Sequence, residues 1–302
     1  MARDIKTMKI RGAGEIARAS AEALRTLAVS YKGRDVGEFM KALEEGKKTL
    51  ISTRPTAISL WNAVQFVSVG WDEAKDVDEL REITVANADR FIARSREAVG
   101  IIGRIGAQRI KGGERVLTHC NSKAALSVIK TAFADGKKTE VFATESRPWR
   151  QGLLTVRELA KEKIPSTLII DSAVRWVMKD IDLVYVGADT IASNGAVINK
   201  IGTSQIALIA REARVPFIVC AETFKFSPKT VHGELVEIEE RGPEEIVSSE
   251  ELPEGVRVLN PVFDATPADY VDSIVTEIGV ISPYAAYDII TKELGPRTVC
   301  RE

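Results

Sequence analysis

Cys120 stands in the run Thr118-His119-Cys120-Asn121-Ser122-Lys123, after an apolar β-rich segment and before a helical one. A thiol at such a handover meets the unpaired N–H groups and positive dipole end of a helix start, which lower its pKa. A thiolate there could act as nucleophile or base. Position alone leaves that reading even with the other one, a small buried hydrophobe. Asp189 closes a second apolar run in Gly187-Ala188-Asp189. An apolar setting would keep its carboxyl protonated, as a general acid requires. Turn and cap aspartates look the same in sequence.

Groups suited to anions surround these two in the chain. Ser122 and Lys123 sit at a helix start, where an anion can bind, although a cap and an exposed charge are the commoner use. Asn199 and Lys200, with Thr203, precede a helix and offer an amide, an ammonium and free backbone N–H groups, a set that suits a phosphate. Arg147 and Gln151 lie in a Pro/Gly-punctuated loop and could clamp a polar ligand. Lys225, between Phe224 and Phe226, is a second phosphate contact or a snorkelling edge residue. Nearer the N-terminus, Arg11-Gly12-Ala13-Gly14 precedes a helix and its glycines allow close backbone approach. Arg54 lies in Ser52-Thr53-Arg54-Pro55-Thr56, also before a helix, with Pro55 suited to its first turn. Taken singly, each of these is weak evidence.

The elements that must position them fall into two halves. Residues 1–110 read as helical: Ile16, Ala19, Ala23, Leu24, Leu27 and Ala28 recur near helical spacing, as do Phe39, Met40 and Leu43, then Phe91, Ile92, Ser95, Val99 and Ile102. From 111 to 302 the pattern changes. β-rich runs at 115–119, 141–144, 167–171, 183–187 and 217–220 alternate with helical stretches at 123–134, 153–163, 174–179 and 203–213. Near-continuous apolar strands separated by helices predict an α/β fold, a Rossmann-like doubly wound parallel sheet. In such sheets ligands bind beyond the carboxyl ends of the strands, where Cys120 and Asp189 fall. Asn194-Gly195 predicts a tight hairpin turn, and the acidic stretch 236–255 a solvated excursion.

Composition narrows the function classes. The chain of 302 residues carries 42 basic and 43 acidic side chains, a formal charge of −1, which argues against a basic nucleic-acid-binding domain. No apolar run approaches the roughly 18 residues of a membrane span, and the first residues lack the apolar core of a secretory signal, so a cytoplasmic protein is expected. Three cysteines (Cys120, Cys220, Cys300) are too few and too scattered for a disulfide framework or a zinc site. Only two histidines occur, His119 and His232, so a three-histidine metal site is excluded. No metal and no cofactor are expected.

Read together, RGAG (11–14), STRPTA (52–57), HCNSKAA (119–125), ESRPWRQG (145–152), GADTIASNGAVINKIGT (187–203) and ETFKF (222–226) resemble one family. It joins the regulatory subunits of translation initiation factor 2B, methylthioribose-1-phosphate isomerase and archaeal ribose-1,5-bisphosphate isomerase. The isomerases of that family carry a cysteine and an aspartate where Cys120 and Asp189 stand. Its non-catalytic subunits generally lack the cysteine. The methylthioribose enzymes usually carry proline in the first motif and Thr-Gly after Cys-Asn, whereas this chain has RGAG and Ser122-Lys123. The chain is therefore most similar to the bisphosphate branch. The alternatives are the methylthioribose enzyme and a regulatory, non-catalytic protein.

The resemblance implies an aldose–ketose isomerase acting on a sugar bisphosphate in archaeal AMP degradation. Asp189 would protonate the ring oxygen and the Cys120 thiolate would take the C2 proton; a hydride shift is the competing route. Arg11, Gly12, Ala13, Gly14, Arg54, Ser122, Lys123, Ala124, Asn199, Lys200 and Lys225 would hold sugar and phosphates, with Arg147 and Gln151 behind them. It further implies a homo-oligomer, a dimer or a hexamer, and suggests AMP as an activator.

Overall fold

The computed structural model of the chain describes residues 1–232, 235–248 and 251–294. Helical periodicity turns residues 1–98 into an all-helical unit that also includes Phe224–Phe226. It holds α1 (Ala2–Lys6), α2 (Ala13–Ser30), α3 (Val36–Thr53), α4 (Ile58–Val67) and α5 (Val77–Ala107) as far as Ala98. Ile16 and Leu24 of α2, Phe39 and Leu43 of α3, and Leu60 and Val64 of α4 meet Leu80 and Phe91 of α5 in its core. Each such side chain contributes about 1.5–3 kcal/mol by leaving water. Asp35 caps α3: its carboxylate accepts the Glu38 N–H at 2.8 Å, satisfying one donor the helix start leaves open. α4 differs in burying polar residues, Ser59 and Asn62, among its apolar ones.

The second unit runs from Val99 to Thr223 and resumes at Ser227. Its elements are β1 (Arg115–Thr118), α6 (Lys123–Ala134), β2 (Glu140–Thr144), α7 (Gly152–Lys161), β3 (Ser166–Ile169), α8 (Val174–Val177) and β4 (Leu183–Gly187). Then follow β5 (Thr190–Ile191), β6 (Val197–Lys200), α9 (Thr203–Ala213), β7 (Phe217–Cys220), β8 (Phe263–Thr266), β9 (Ser273–Thr276), β10 (Gly279–Ile281) and α10 (Ala286–Glu293). Seven strands form one sheet in the order β10-β9-β7-β4-β1-β2-β3. All neighbours are parallel except β9 and β10. β7 and β9 are buried along their whole length, as strands of a sheet covered on both faces must be. The chain builds outward from β1 through β2 to β3, then returns to place β4 on the other side of β1. The crevice of this doubly wound sheet therefore opens beyond the carboxyl ends of β1 and β4.

Several local features refine or add to the sequence reading. The helix expected at 174–179 is a four-residue α8 followed by a 3₁₀ turn, Met178–Asp180. Asn199 and Lys200 precede a helix, α9, as expected, and they do so as strand residues of β6, within a small antiparallel sheet ordered β5-β6-β8. The expected hairpin at Asn194-Gly195 is the turn from β5 to β6, and Gly195 sits at φ 82° with no room for a side chain, since a Cβ would lie 2.4 Å from the Pro283 carbonyl oxygen. Finally, β9 and β10 add an antiparallel edge whose short strands, flanked by Asp272 and Glu277, leave little periodic signal. In the acidic stretch the described residues carry one 3₁₀ turn, Pro243–Glu245, and a bridge from Glu240 to Pro261.

Candidate active site

Cys120 lies two residues past the end of β1, in the left-handed region at φ 66°. That conformation costs a non-glycine residue about 1–2 kcal/mol, so something must hold it. Its N–H donates to Ser146 Oγ at 2.7 Å and its carbonyl accepts from Thr155 Oγ1 at 2.7 Å. Burial pushes the Cys120 thiol up to about 11. The Lys200 ammonium and the Asn121 backbone N–H pull it down, while Asp189 and Asp171 add to the rise. The helix-start argument predicts a lowered pKa; desolvation, the larger effect, reverses it. Asp189 follows β4, the strand next to β1, is half-buried, and has its N–H anchored on the Ile198 carbonyl at 2.9 Å. Thiol, carboxyl and Lys200 thus share one electrostatic neighbourhood at the crevice of the sheet.

A buried network lies behind the thiol. His119 Nε2 faces the Ile201 carbonyl at 2.8 Å, so Nε2 carries the proton and Nδ1 is an acceptor. Thr144 Oγ1 lies 2.5 Å and Ser146 Oγ 3.3 Å from Nδ1. Burial lowers the His119 pKa, with Lys200 adding to it against the Ile201 hydrogen bond and Asp171, and the ring stays neutral. Asp171, after β3, accepts the N–H groups of Ser146 and Arg147 at 2.8 Å each. These groups escape a sequence reading that looks for reactive side chains. The available signal is positional: Thr144 and Ser146 end β2 as His119 and Cys120 end β1.

Asn199 and Lys200 are buried side by side on β6. Asn199 Nδ2 donates to Thr203 Oγ1 at 3.0 Å, and Lys200 Nζ lies 5.0 Å from the centre of the Phe263 ring. The start of α9, whose sequence suggests free N–H groups, is taken by a carboxylate. Asp264 on β8 accepts the Gly202 N–H at 2.8 Å and the Ser204 N–H at 3.1 Å. Burial raises the Asp264 pKa to about 6 against these hydrogen bonds and Lys200. Gly202 sits at φ 99°, and a Cβ there would be 3.2 Å from His119 Cε1, so the loop after Lys200 rests on the imidazole.

Ser122 caps α6, accepting the Ala125 N–H, and lies against Gly187, where a Cβ would fall 2.4 Å from its Oγ. Lys123 is exposed and pairs with Glu158 Oε1 at 3.6 Å, while Lys130 holds Oε2 at 3.1 Å. Burial acts to raise the Glu158 pKa, but the Lys130 hydrogen bond, the two lysines and Asn121 outweigh it and lower it. Ala124 faces the core, so only its backbone is open to a ligand. Arg147 is exposed, with Nη2 on the Ile246 carbonyl at 3.1 Å. Gln151 begins α7, and its buried Oε1 has no hydrogen-bond partner among the described residues. Also among the described residues, no group of three or more His, Cys, Asp or Glu side chains is gathered that could hold a metal ion.

The remaining candidates belong to the helical unit. Gly12, at φ 85°, is the N-cap of α2 and offers no side-chain cap; Arg11 before it is exposed, and Ala13 and Gly14 open the helix half-buried. Arg54 is half-buried and donates to Met8 Sδ. Lys225 is 7% exposed, on a 3₁₀ turn. α4 organises this group. Ser59 Oγ donates to the Ala13 carbonyl at 2.9 Å. Asn62 Nδ2 donates to the carbonyls of Phe224 and Phe226, at 2.6 and 2.8 Å, on either side of Lys225. Sequence reasoning missed both; an asparagine inside the apolar run of α4 was the signal.

A thiol and a carboxyl at the switch point of a doubly wound sheet, after a helical N-terminal region, define a class, and the chain belongs to the initiation factor 2 subunit family, whose model matches residues 9–283. It is 52% identical over 291 residues to the ribose 1,5-bisphosphate isomerase of Methanocaldococcus jannaschii, covering 96% of this chain and 93% of that protein. To the enzyme of the same name from Archaeoglobus fulgidus it is 54% identical over 294 residues, covering 97% and 92%. Among solved structures, the Pyrococcus horikoshii translation initiation factor eIF-2B matches with a TM-score of 0.80 at 34% identity, covering 93% of this chain and 95% of that one. The family resemblance carried by the motifs and the fold class are both borne out.

Proposed function

We propose that the chain is an aldose–ketose isomerase converting ribose 1,5-bisphosphate to ribulose 1,5-bisphosphate, with Cys120 and Asp189 as its acid–base pair. The observation that carries this is the placement of the two groups after adjacent parallel strands, electrostatically coupled to each other and to the buried Lys200. The similarity to named ribose 1,5-bisphosphate isomerases supports the choice of substrate.

A sugar blocked at C1 by phosphate opens only when its ring oxygen is protonated. Asp189 supplies that proton. Cys120 then takes the C2 proton and returns one to C1 through an enediol-type intermediate, while the C2 hydroxyl gives its proton back to Asp189 as the ketone forms. The thiol starts protonated, since burial holds it near 11. Lys200 and the Asn121 N–H favour the thiolate, and a proton on Asp189 removes one negative charge that opposes it. The pair therefore works in one combined state, acid on Asp189 and thiolate on Cys120. Asn199, Lys200, Ser122 and the Ala124 backbone hold substrate in the second unit, and Lys123 does so on release from Glu158. Arg11, the Gly12–Gly14 backbone, Arg54 and Lys225 are phosphate contacts in the first, with Arg147 and Gln151 as weaker assignments. Assembly as a dimer or hexamer, activation by AMP and a place in AMP degradation belong to the same reading.

Wild type and Cys120→Ser are incubated with ribose 1,5-bisphosphate and, in parallel, with methylthioribose 1-phosphate, each with and without AMP. Ribulose 1,5-bisphosphate from the wild type alone supports the assignment. Turnover of the methylthio sugar instead transfers it to that substrate. Folded protein that binds phosphate and turns over neither sugar makes it a regulatory protein. Deuterium from solvent at C1 supports the proton route over a hydride shift.

A further inference from the structure

Both backbone groups of Cys120 are held by side chains from other elements, not by backbone. Ser146, after β2, takes its N–H, and Thr155, in α7, takes its carbonyl. Cys120 is at φ 66° and Ser146 itself at φ 59°, so two non-glycine residues in left-handed backbone face each other across one hydrogen bond. Such strain persists only where surrounding contacts over-determine it. Those contacts are present. Ser146 Oγ is completely buried among His119 Nδ1, Thr144 Oγ1 and the Cys120 N–H, and the Ser146 N–H is fixed by Asp171. Thr155 Oγ1 both donates to the Cys120 carbonyl and accepts from Asn121 Nδ2 at 3.0 Å, so one hydroxyl holds two consecutive residues.

We propose that Ser146 and Thr155 are positioning residues, a pair of hydroxyls that hold Cys120 in its left-handed conformation and so aim its thiol at the reacting carbon. His119 is the third part of the device. Its Nε2–H on Ile201 and its Nδ1 facing Ser146 tie the loop after Lys200 to the loop of Cys120. Thiol and ammonium thereby keep a fixed mutual placement, on which the electrostatic pull of Lys200 on the thiol depends. The expected effect on turnover rests on the isomerase reading; the hydroxyl clamp does not.

The test compares Ser146→Ala, Thr155→Val and Thr155→Ser with wild type. Two measurements are made on each folded protein. One is kcat and KM on ribose 1,5-bisphosphate. The other is the pH dependence of Cys120 carboxamidomethylation by iodoacetamide, followed on the Cys120 peptide, which requires no turnover. Loss of either hydroxyl is expected to lower kcat by roughly 10- to 100-fold with KM within about threefold, the effect of misplacing a catalytic group by up to an ångström. The alkylation midpoint is expected to move, and Thr155→Ser, which keeps the hydroxyl, to restore both. If Ser146→Ala and Thr155→Val lower only the melting temperature, leaving kcat and the alkylation midpoint at wild-type values, the hydroxyls are structural and the proposal is overturned. Shifted alkylation midpoints in a protein that isomerises neither sugar would leave the hydroxyl clamp standing and remove the isomerase reading.

Discussion

At the scale of single residues, the proposed acid–base pair was legible as a pair of candidates and its protonation state was not. Cys120 and Asp189 stand out because each ends an apolar run in a chain whose topology puts ligands there. The protonation of Cys120 depends on how deeply the folded chain buries it, which no spacing reveals. The thiol is therefore expected to alkylate slowly at neutral pH, its rate rising toward a midpoint near 11. Replacing Lys200 by methionine removes the ammonium that pulls the thiol pKa down and is expected to push that midpoint higher and abolish most turnover. A Lys200→Met midpoint at or below that of the wild type would sink this account. Asp264 gives a second pH signature. Its folded pKa of about 6 lies above the ordinary 3.8, so the folded state binds the extra proton between those values. Stability should then fall as pH rises from about 4 to 6, and level off above, with a contribution of at most about 3 kcal/mol. Asp264→Asn keeps an acceptor for the Gly202 and Ser204 N–H groups and loses the titration. Urea midpoints between pH 4 and 7 should show a flatter slope for it than for wild type.

At the scale of elements, the helices and strands that follow strong periodicity appear where the sequence puts them, with α6 and α9 matching in extent. What escaped is polar work done inside apolar elements. From sequence α4 is only the helix that follows Pro55, yet its Ser59 and Asn62 fix the backbone of two segments proposed to grip phosphate. Asn62→Asp keeps the size and loses both donors to the carbonyls flanking Lys225. KM for the bisphosphate is expected to rise about tenfold, in line with roughly 1–2 kcal/mol for hydrogen bonds that hold a charged contact, with kcat changed less. An equal loss in kcat and none in KM would show that Asn62 serves the chemistry and not the grip. The start of α9 teaches the complementary lesson. A free helix start in sequence is free only if nothing distant in the chain fills it, and Asp264 does.

At the scale of the whole molecule, the sheet order is what makes a list of motifs into a site. β1 and β4 are neighbours although β2 and β3 intervene in the chain, so residues after them converge without any local signal that they should. Among the described residues no helix is long and apolar enough to cross a membrane. Large apolar side chains at Trp176, Tyr284 and Tyr287 are exposed in the single chain. If dimers form through the surface around Trp176, Trp176→Glu should shift the mass measured by light scattering to that of a monomer; an unchanged mass would place the interface elsewhere.

The pairing of β6 with β8 has a consequence for how the molecule comes into being. Phe263 and Asp264 lie opposite Lys200 and Asn199, with α9, β7 and the acidic excursion in between. As the chain leaves the ribosome, every proposed acid, base and phosphate contact emerges before the strand that fixes β6. Until β8 arrives, α9 lacks the carboxylate at its start and Lys200 lacks its aromatic neighbour. Pairing of strands so distant in sequence is slow. Catalytic competence should thus be among the last properties acquired, and nascent chains should stay inert toward sugar phosphates until that strand has been made.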